Sequence, residues 1–314
     1  MVSFRRRGLL IEPPGSGTAW FSHAQIPTVL ELAADRWRIY FAARNDANRA
    51  TIFAADVDPR TEMRVLDLYA KPLLPPGPIG AFDVAGLGPS CALADGGRVW
   101  LYYQGVSVRA DVPYQHAIGL AVSDDGLAFE RVATGPVLAT GPYDPIFVTT
   151  PFVRRTGSAY EMWYGSASGW TTSAGRLDAA YTIRRTASAD GIVWSTDSTL
   201  AVPSDDPRVV ASTRPWIARD GDRERVWFSR RGSAFRDGGP GAYALVHAPL
   251  SADGTRSDGP IEPVVFESPP QPGDWDAEMQ AYPCVVPLGD ELVMFYNGNH
   301  FGRAGLGWAT TQRT

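Results

Sequence analysis

The sequence predicts an all-β chain folded as one five-bladed β-propeller over residues 1–314. Three observations lead to this prediction: a recurring Asp-Gly turn, a proline that recurs at the start of apolar segments, and glycine and proline spread along the chain. The 314 residues include 32 Gly and 26 Pro, a composition typical of turn-rich β-proteins. A fixed period of about 60–70 residues indicates a repeat architecture.

The Asp-Gly turn occurs three times at nearly constant spacing. Its copies, 123–126, 188–191 and 251–254, start 65 and then 63 residues apart. We expect each turn to send the chain toward the outer strand of a small antiparallel sheet. Phe129 and Trp194 follow two of the turns, and we expect their rings to pack between neighbouring blades.

A proline opens an apolar strand in each of five repeats. These prolines are separated by 62, 62, 64 and 68 residues and are Pro27, Pro89, Pro151, Pro215 and Pro283. An aromatic strand and then a third strand follow each proline. One small sheet cannot bury both of its faces, whereas five arranged radially cover one another. The predicted blades lie near residues 19–58, 82–130, 145–195, 209–254 and 277–312, with residues 1–18 packed against the last blade to help close the ring.

The segments before the five prolines are expected to form the rim of a central cavity. Proline is tolerated at the first residue of a strand and favours an extended conformation in the residue before it. Together with the ends of the aromatic strands, these segments supply the side chains predicted to bind substrate: Gln25, Arg44, Asp144, Trp170, Arg214, Tyr282 and Asn299. Arginines bind anions, carboxylates accept hydrogen bonds from hydroxyls, and aromatic faces stack on sugar rings. The predicted partner is therefore a small sugar or sugar-like metabolite.

Composition excludes several other classes of protein. The net charge of −5 and the absence of a basic stripe argue against a nucleic-acid partner. No segment approaches the roughly 18 apolar residues that span a bilayer, and prolines interrupt the N-terminal apolar run before it reaches signal-peptide length. We therefore expect a cytoplasmic protein with no membrane partner. Cys91 and Cys284 have neither disulfide nor metal spacing, and we expect buried free thiols. We predict no metal and no cofactor, leaving open an ion at the channel centre.

The repeats resemble a known superfamily, that of the arabinanases, xylosidases, invertases and levansucrases. Its members are five-bladed propellers with a proline in the first strand of a blade and S-x-D-G-x-x-W repeats. The longer strings "FDVAGLGPS", "EMQAYP" and "FYNGNHFGRAGLGWA" are similar to uncharacterised glycosidase-like proteins of bacterial polysaccharide gene clusters. The resemblance covers roughly residues 18–312 and implies the fold and a carbohydrate-binding cavity.

The sequence departs from that superfamily at its catalytic carboxylates. The superfamily places an Asp before the first-blade proline, another before the third, and a Glu just before the fourth. Here these positions hold Ile26, Thr150 and the stretch 212–214, which is Ser-Thr-Arg. The resemblance therefore implies the fold without the standard hydrolytic triad.

Three other residues are the candidates for catalysis. Cleavage of a glycosidic bond needs one protonated acid beside the leaving oxygen and a second carboxylate as base or nucleophile. Glu278 is the predicted acid, because Met279 and Tyr282 nearby would partly bury it and favour its protonated form. Asp83, before the glycines of "VAGLG", is its predicted partner. His23 is either a general base or a structural histidine near the channel.

Three functions remain open from the sequence. The first is a glycoside-processing enzyme, either a hydrolase or a transglycosidase. The second is a lyase, cyclase or dehydratase of polysaccharide or secondary-metabolite biosynthesis, with His23 as base and Glu278 as acid. The third is a non-catalytic carbohydrate-binding module. Arg214 is either an anion clamp or half of a salt bridge with Glu278 or Asp83. Several acids and arginines at one mouth favour an enzyme, although fold alone does not choose among these functions.

Overall fold

The computed structural model describes residues 2–15, 18, 20 and 22–311, except for the side chain of residue 237. Nearly all of the regular secondary structure among the described residues is β-strand, with one 3₁₀ turn, η1 (Arg236–Gly238), and one short helix, α1 (Asn299–Gly302). The prediction of an all-β chain is confirmed. Hydrogen bonding divides the described strands into four sheets.

The first two sheets are four-stranded antiparallel meanders. We call the strands that belong to one sequence repeat a group. Group 1 pairs its strands in chain order: β2 (Ser22–Ala33), β3 (Arg36–Arg44), β4 (Ala50–Asp58) and β5 (Arg64–Tyr69). Group 2 repeats that order: β6 (Gly86–Asp95), β7 (Arg98–Ser107), β8 (Gln115–Ser123) and β9 (Glu130–Arg131). In both groups the strand that contains the recurring proline comes first, as the sequence predicts.

The third sheet contains two such groups joined at one point. Group 3 is antiparallel and consists of β10 (Val148–Thr156), β11 (Ala159–Ser173), β12 (Arg176–Ser188) and β13 (Thr199–Val202). Group 4 consists of β14 (Ala211–Asp220), β15 (Arg223–Arg231), β16 (Ala244–Pro249) and β17 (Glu262–Pro263). A single parallel pairing, Tyr181 with Ala211, connects them.

The fourth sheet unites the two ends of the chain. Group 5 consists of β19 (Ala281–Leu288), β20 (Glu291–Asn297) and β21 (Leu306–Thr311), followed by β1 (Ser3–Ile11) and β18 (Val265–Phe266). Strand β1 pairs antiparallel with β21 from Phe4–Thr311 to Ile11–Leu306. The prediction that the N-terminal segment packs against the last repeat is confirmed for this strand.

Each group contacts the next one, and the last contacts the first. Aromatic pairs supply four of these contacts, with ring centroids 5.1–5.9 Å apart: Tyr40–Phe129, Trp100–Tyr160, Phe152–Trp216 and Trp227–Phe4. The amide of Ile26 in group 1 donates to Oδ1 of Asn297 in group 5 at 3.2 Å. Such buried edge-to-face and stacked aromatic pairs stabilise the contacts between groups beyond the area that they bury.

The Asp-Gly turns hold neighbouring groups together. In the first copy, Oδ1 of Asp125 accepts hydrogen bonds from two backbone amides and from Oγ of Ser123, and these bonds lower the pKa of Asp125 to about 2. The carbonyl of Gly126 accepts a hydrogen bond at 2.8 Å from the hydroxyl of Tyr40 in group 1. In the second copy, Tyr102 of group 2 donates in the same way to Gly191.

The packing role of the two aromatic residues after these turns is confirmed. Phe129 lies edge-to-face against Tyr40, and Trp194 lies edge-to-face against Tyr102 of the preceding group. The two cysteines, Cys91 and Cys284, are buried and free, as predicted.

Four of the five residues before the recurring prolines differ from the extended conformation that we expected. Ile26, Thr150, Arg214 and Tyr282 have φ between 45° and 63°, a left-handed conformation that is rare for any residue other than glycine and rarer still for β-branched ones. The strand pairing shifts register at each of these positions. A bulge therefore overrides the bias of proline and turns these four side chains toward other groups.

Acid should destabilise the protein through its buried histidines. His247 is fully buried against Trp227, and burial lowers its pKa to about 4. Burial also lowers the pKa of His116 to about 4. Unfolded histidines bind protons near pH 6.5, so the unfolded state takes up more protons than the native state between pH 6.5 and 4. The free energy of unfolding should therefore decrease as the pH is lowered from 6.5 to 4, by up to about 1.4 kcal/mol per pH unit for each such histidine.

Urea denaturation at a series of pH values measures this slope. His247→Asn should reduce it, whereas Leu32→Ala, at an exposed position without an ionisable group, should leave it unchanged. A slope that is unaffected by His247→Asn would contradict the assignment.

No helix among the described residues reaches the length and apolarity that crossing a membrane demands.

Candidate functional site

A large cavity of about 830 Å³ opens where all five groups present their loops and strand ends. This volume lies within the range of small-molecule binding sites. Part of its lining is polar, with Gln25, Arg44, Asn48, Gln104 and His116. Another part, here called the aromatic wall, consists of Tyr114, Tyr181, Tyr243, Tyr282, Phe235 and Phe301.

A second cavity of about 540 Å³, the side cavity, adjoins the first. The two share Arg236 and Phe301 in their linings. The other ionisable groups of the side cavity are His23, Glu278, His300 and Arg303. The predicted catalytic residues Glu278 and His23 therefore lie together, whereas the substrate contacts Gln25, Arg44 and Tyr282 line the large cavity next to them.

Glu278 faces the side cavity from the loop before β19. Its side chain is 49% exposed, and Oε2 lies 3.7 Å from Nε2 of His300. The partial burial that we expected around this carboxyl is therefore modest. Glycine at position 238 leaves room for it, because a Cβ there would lie 3.2 Å from Oε2.

Asn299 fixes the loop that contains Glu278. Its Oδ1 accepts hydrogen bonds from the amides of Glu278 and Met279 at 2.8 and 3.1 Å, and its Nδ2 donates to the carbonyl of Asp274. The following residues, His300 and Phe301, both have left-handed φ of 53° and 60°. Strain of this kind persists only where surrounding contacts impose it, and it is common at functional sites. Asn299, predicted as a substrate contact, is here a positioning residue.

His23 is a neutral imidazole in this setting. Burial, together with nearby Arg44, Arg303 and His300, lowers its pKa to about 3, and Nδ1 lies 2.9 Å from Oγ of Ser22. An imidazole with so low a pKa is a weak proton acceptor near neutral pH. The geometry favours a hydrogen-bonding role over the general-base role that the sequence suggested.

Arg44 is one of the cations that line the large cavity. Its guanidinium donates to Oδ1 of Asn48 at 3.0 Å and to Oε1 of Gln25 at 3.3 Å. Among the described residues, no carboxylate lies within ion-pair distance of it. Burial lowers the pKa of Arg44, which means that the charged form is poorly solvated. An anionic ligand group would compensate this charge.

The aromatic wall offers ring faces to a ligand. Tyr282 and Tyr243 have ring centroids 5.7 Å apart, and Phe301 lies 6.0 Å from Tyr243. Trp170, predicted to contact substrate, lies behind this wall and packs on Tyr114 at 5.2 Å. Tyr114, rather than Trp170, lines the cavity.

An ion pair that the sequence did not single out lies where the two cavities meet. Arg236 donates from Nε to Oδ2 of Asp178 at 2.9 Å and from Nη2 to Oδ1. Asp178 is the one carboxylate among the described side chains that line the large cavity. Arg231, on the same wall, donates to the hydroxyl of Tyr243 and to the carbonyl of Ala179.

The predicted catalytic role of Asp83 and the predicted substrate contact of Asp144 do not agree with their positions. Both are buried anchors of the loops before the first strands. Asp83 accepts hydrogen bonds from Tyr103 at 3.1 Å and Arg131 at 2.9 Å. Asp144 accepts from Tyr164 at 2.8 Å and from Ser198. Neither side chain lines either cavity.

The same anchor occurs a third time, in group 5. Asp276 accepts hydrogen bonds from Tyr296 at 2.7 Å and from Arg6 at 3.1 Å. In all three anchors the tyrosine follows the aspartate by 20 residues. Group 1 has an apolar pair instead, Trp20 edge-to-face with Phe41 at 5.0 Å.

Arg214 is neither the anion clamp nor the salt-bridge partner that the sequence suggested. Its side chain is fully buried and donates to the carbonyl of Ser90 at 2.5 Å and to that of Pro27 at 2.7 Å. It thereby links group 4 to groups 1 and 2, and it stacks over Trp216 at 5.1 Å. Burial lowers its pKa to about 10, so the guanidinium stays charged at neutral pH.

Full-length relatives identify the family to which the chain belongs. No family model matches the chain. The "Uncharacterized protein Rv1502" of Mycobacterium tuberculosis strain H37Rv is 33% identical over 313 residues, which cover 99% of this chain and 100% of that protein. The chain belongs to the Rv1502 family. "Uncharacterized protein MT1551" of strain CDC 1551 matches this member of the Rv1502 family equally well, at 33% identity over 313 residues.

Solved structures show what fold the family has. A glycosyl hydrolase from Bacteroides ovatus gives a TM-score of 0.71 at 14% identity, covering 98% of this chain and 93% of that one. A structure from the GH130 family of mannoside phosphorylases, which contains glycoside hydrolases that target β-1,2-mannosidic linkages in Candida mannan, gives the same values. The Bombyx mori GH32 β-fructofuranosidase BmSUC1 gives 0.59 at 14%, covering 93% and 62%. The predicted resemblance to propeller glycosidases is confirmed for the fold.

Sequence reasoning missed most of the residues that line the large cavity. Asp178 and Arg236 belong to a third strand and to a loop, which the repeat pattern of first strands does not cover. One signal was available for Asp178, a single carboxylate inside the strand-like run "RLDAAYTI". Across the described residues, no three His, Cys, Asp or Glu side chains are close enough to share a metal ion.

Proposed function

We propose that the five groups are the blades of a single five-bladed β-propeller and that the large cavity is the mouth of its axis. Each group starts with the strand that contains a recurring proline, and each contacts the next. The contact between Ile26 and Asn297 joins the last group to the first. Strand β1 completes group 5, which ties the N-terminal segment into the ring.

On this scaffold, we propose a glycoside-processing enzyme whose sugar-like substrate occupies the large cavity. The observation that carries this proposal is the position of Glu278, which faces a cavity that shares two lining residues with a larger one rich in aromatic and amide side chains. Aromatic ring faces and side-chain amides are groups that bind sugars in proteins, by stacking and by hydrogen bonding. Arg44, without a carboxylate partner, supports a substrate with an anionic group.

Glu278 is the general acid in this proposal. It gives a proton to the glycosidic oxygen as the bond to the anomeric carbon breaks. Asn299 holds its backbone in place through two amide hydrogen bonds. Asp178, kept in place by Arg236, replaces Asp83 as the second carboxylate and activates the attacking water.

Phosphorolysis is a second candidate, and the charge of the side cavity favours it. Its cations are Arg303 and Arg236, the latter paired with Asp178, and Glu278 is the one acid among its described lining residues. Inorganic phosphate can attack the anomeric carbon directly and needs no base, so one general acid suffices. The same acid would protonate the leaving oxygen in both reactions.

The elimination or cyclisation alternative receives less support. It requires His23 as a base, and the pKa of His23 is about 3. A purely binding role does not account for an exposed carboxyl beside His300 in a strained turn, although it remains an outcome of the test.

The test compares product formation with and without phosphate. The protein is incubated with neutral and uronic-acid-containing oligosaccharides, and products are identified by ¹H NMR. Hydrolysis gives free reducing sugar in both buffers, whereas phosphorolysis gives a sugar 1-phosphate only with phosphate. Binding without any product would overturn the enzymatic proposal and support the binding module.

A further inference from the structure

An apolar strip borders the opening of the large cavity. It consists of Val106, Val108, Pro113 and Leu177, all of which line the cavity. Val108 is 67% exposed and Leu177 is 41% exposed. By contrast, apolar residues deeper in the same cavity, such as Ile26 and Leu87, are buried. The exposed side chains of Val108, Pro113 and Leu177 therefore place the strip at the mouth.

Two extensions of the fold create this strip. Strands β11 and β12 are 15 and 13 residues long, whereas the corresponding strands of group 2 have 10 and 9. Their hairpin turns at Ala174 and Gly175, both with positive φ, and brings Leu177 to the cavity. The amide of Ala179 donates to the hydroxyl of Tyr114 at 3.0 Å, which joins the hairpin to the loop after β7 that contains Val108 and Pro113.

Single exposed apolar side chains are ordinary on protein surfaces. A strip that continues into a ligand cavity is different, because a bound molecule can cover both at once. The lining of the cavity is polar and cationic at Gln25 and Arg44, whereas the strip is an apolar part of the mouth that lies next to the exposed Arg176. A ligand that matches both parts has a polar head and an apolar tail.

We propose that the substrate is amphiphilic, with its sugar inside the large cavity and an apolar aglycone, such as an alkyl or polyprenyl chain, lying along the strip. This inference rests on the proposed function for the identity of the head group. It adds the class of the aglycone and assigns Val108 and Leu177 as residues that determine specificity.

Calorimetric titration with two series of n-alkyl glycosides tests the proposal. The probes are methyl, butyl, hexyl and octyl β-D-glucosides and α-D-mannosides, each below its micelle concentration. Affinity should rise with chain length, by up to about fourfold for each methylene that the strip buries. Equal affinity for methyl and octyl glycosides in both series, or no binding of either, would overturn the proposal that the substrate is amphiphilic.

The variants separate the strip from non-specific binding. The double substitution Val108→Asp with Leu177→Asp should remove the dependence on chain length. Val193→Asp is the matched control, because Val193 is 72% exposed in the turn of group 3, and it should keep the full dependence. If the double variant keeps the dependence as well, the chain binds elsewhere and the proposal is wrong.

Binding rather than turnover is the measurement, so the two proposals can fail separately. Glu278→Gln should keep the dependence on chain length and lose turnover. Equal turnover of methyl and octyl glycosides, with equal affinity, would support glycoside processing while contradicting the apolar strip. Dependence on chain length without any turnover would support the strip and contradict the enzymatic function.

Discussion

Replacing Glu278 by Gln should reduce the turnover of a glycoside substrate by about 10²–10⁴-fold. The substitution keeps the shape of the side chain and removes the proton that the leaving oxygen needs. The amides of residues 278 and 279 should still donate to Asn299, so the loop should keep its conformation. Sugar affinity should change little, because the expected loss is in the chemical step.

Two further variants make this result specific. Glu62→Gln removes a carboxyl with a 73% exposed side chain and should leave turnover unchanged. Asp83→Asn weakens the anchor with Arg131 and Tyr103 and should lower stability while leaving the rate of the folded protein intact. Normal turnover by Glu278→Gln would contradict the general-acid role and leave Glu278 as a ligand contact only.

Replacing Arg214 by Met should cost about 3 kcal/mol of folding free energy. The carbonyls of Ser90 and Pro27 would lose their donor in a buried setting, and each unpaired buried acceptor costs about 1–3 kcal/mol. Removal of a poorly solvated cation offsets part of this cost. Arg214→Lys keeps the charge but cannot reproduce the planar fork, so it should also destabilise the protein, by a smaller amount.

Chemical denaturation measures this loss, and ligand titration of the folded variant completes the test. Affinity for an anionic sugar should be the same in Arg214→Lys as in the parent protein, because the side chain touches neither cavity. If Arg214→Lys reduced the affinity for the anionic sugar and left the folding free energy unchanged, Arg214 would be an anion clamp after all. Arg44→Gln is the contrasting variant, since loss of that cation should weaken anionic ligands specifically.

The repeated elements were predictable because their physical causes are local. The Asp-Gly turn fixes its own hydrogen bonds within a few residues, from Ser123 to Ala128. Phe129 and Trp194 follow at a set distance and find the neighbouring group without further information. The first strands begin near the recurring prolines, although the bulges at Ile26 and Thr150 depend on partners that the pattern does not reveal.

The rim acids show where such reasoning fails. A carboxylate before a first strand can face the cavity, or it can turn back and anchor its own loop. Its position in the repeat is the same in the two cases, so the position does not distinguish them. What decides is the presence of partners far away in the sequence, such as Arg131 for Asp83 and Arg6 for Asp276. The tyrosine 20 residues after each aspartate was the available sign, because it recurs in three repeats.

Several residues that line the large cavity come from parts of the chain that do not repeat, so the repeat pattern could not predict them. Its lining residues Asp178 and Leu177 come from a hairpin that is longer than its counterparts, and Arg236 comes from the loop between β15 and β16. Loops and extensions differ from one repeat to the next, so no internal comparison aligns them. Their contribution follows only from the three-dimensional arrangement.

A crystal structure of the Glu278→Gln variant with a bound oligosaccharide tests the central claim most directly. The account predicts a sugar that extends from the large cavity to the side cavity, with a glycosidic oxygen within about 3 Å of the side-chain amide at position 278. It also predicts a sugar ring against the wall formed by Tyr243, Tyr282 and Phe301. A sugar bound elsewhere, or with every glycosidic oxygen well beyond hydrogen-bonding reach of that amide, would contradict it.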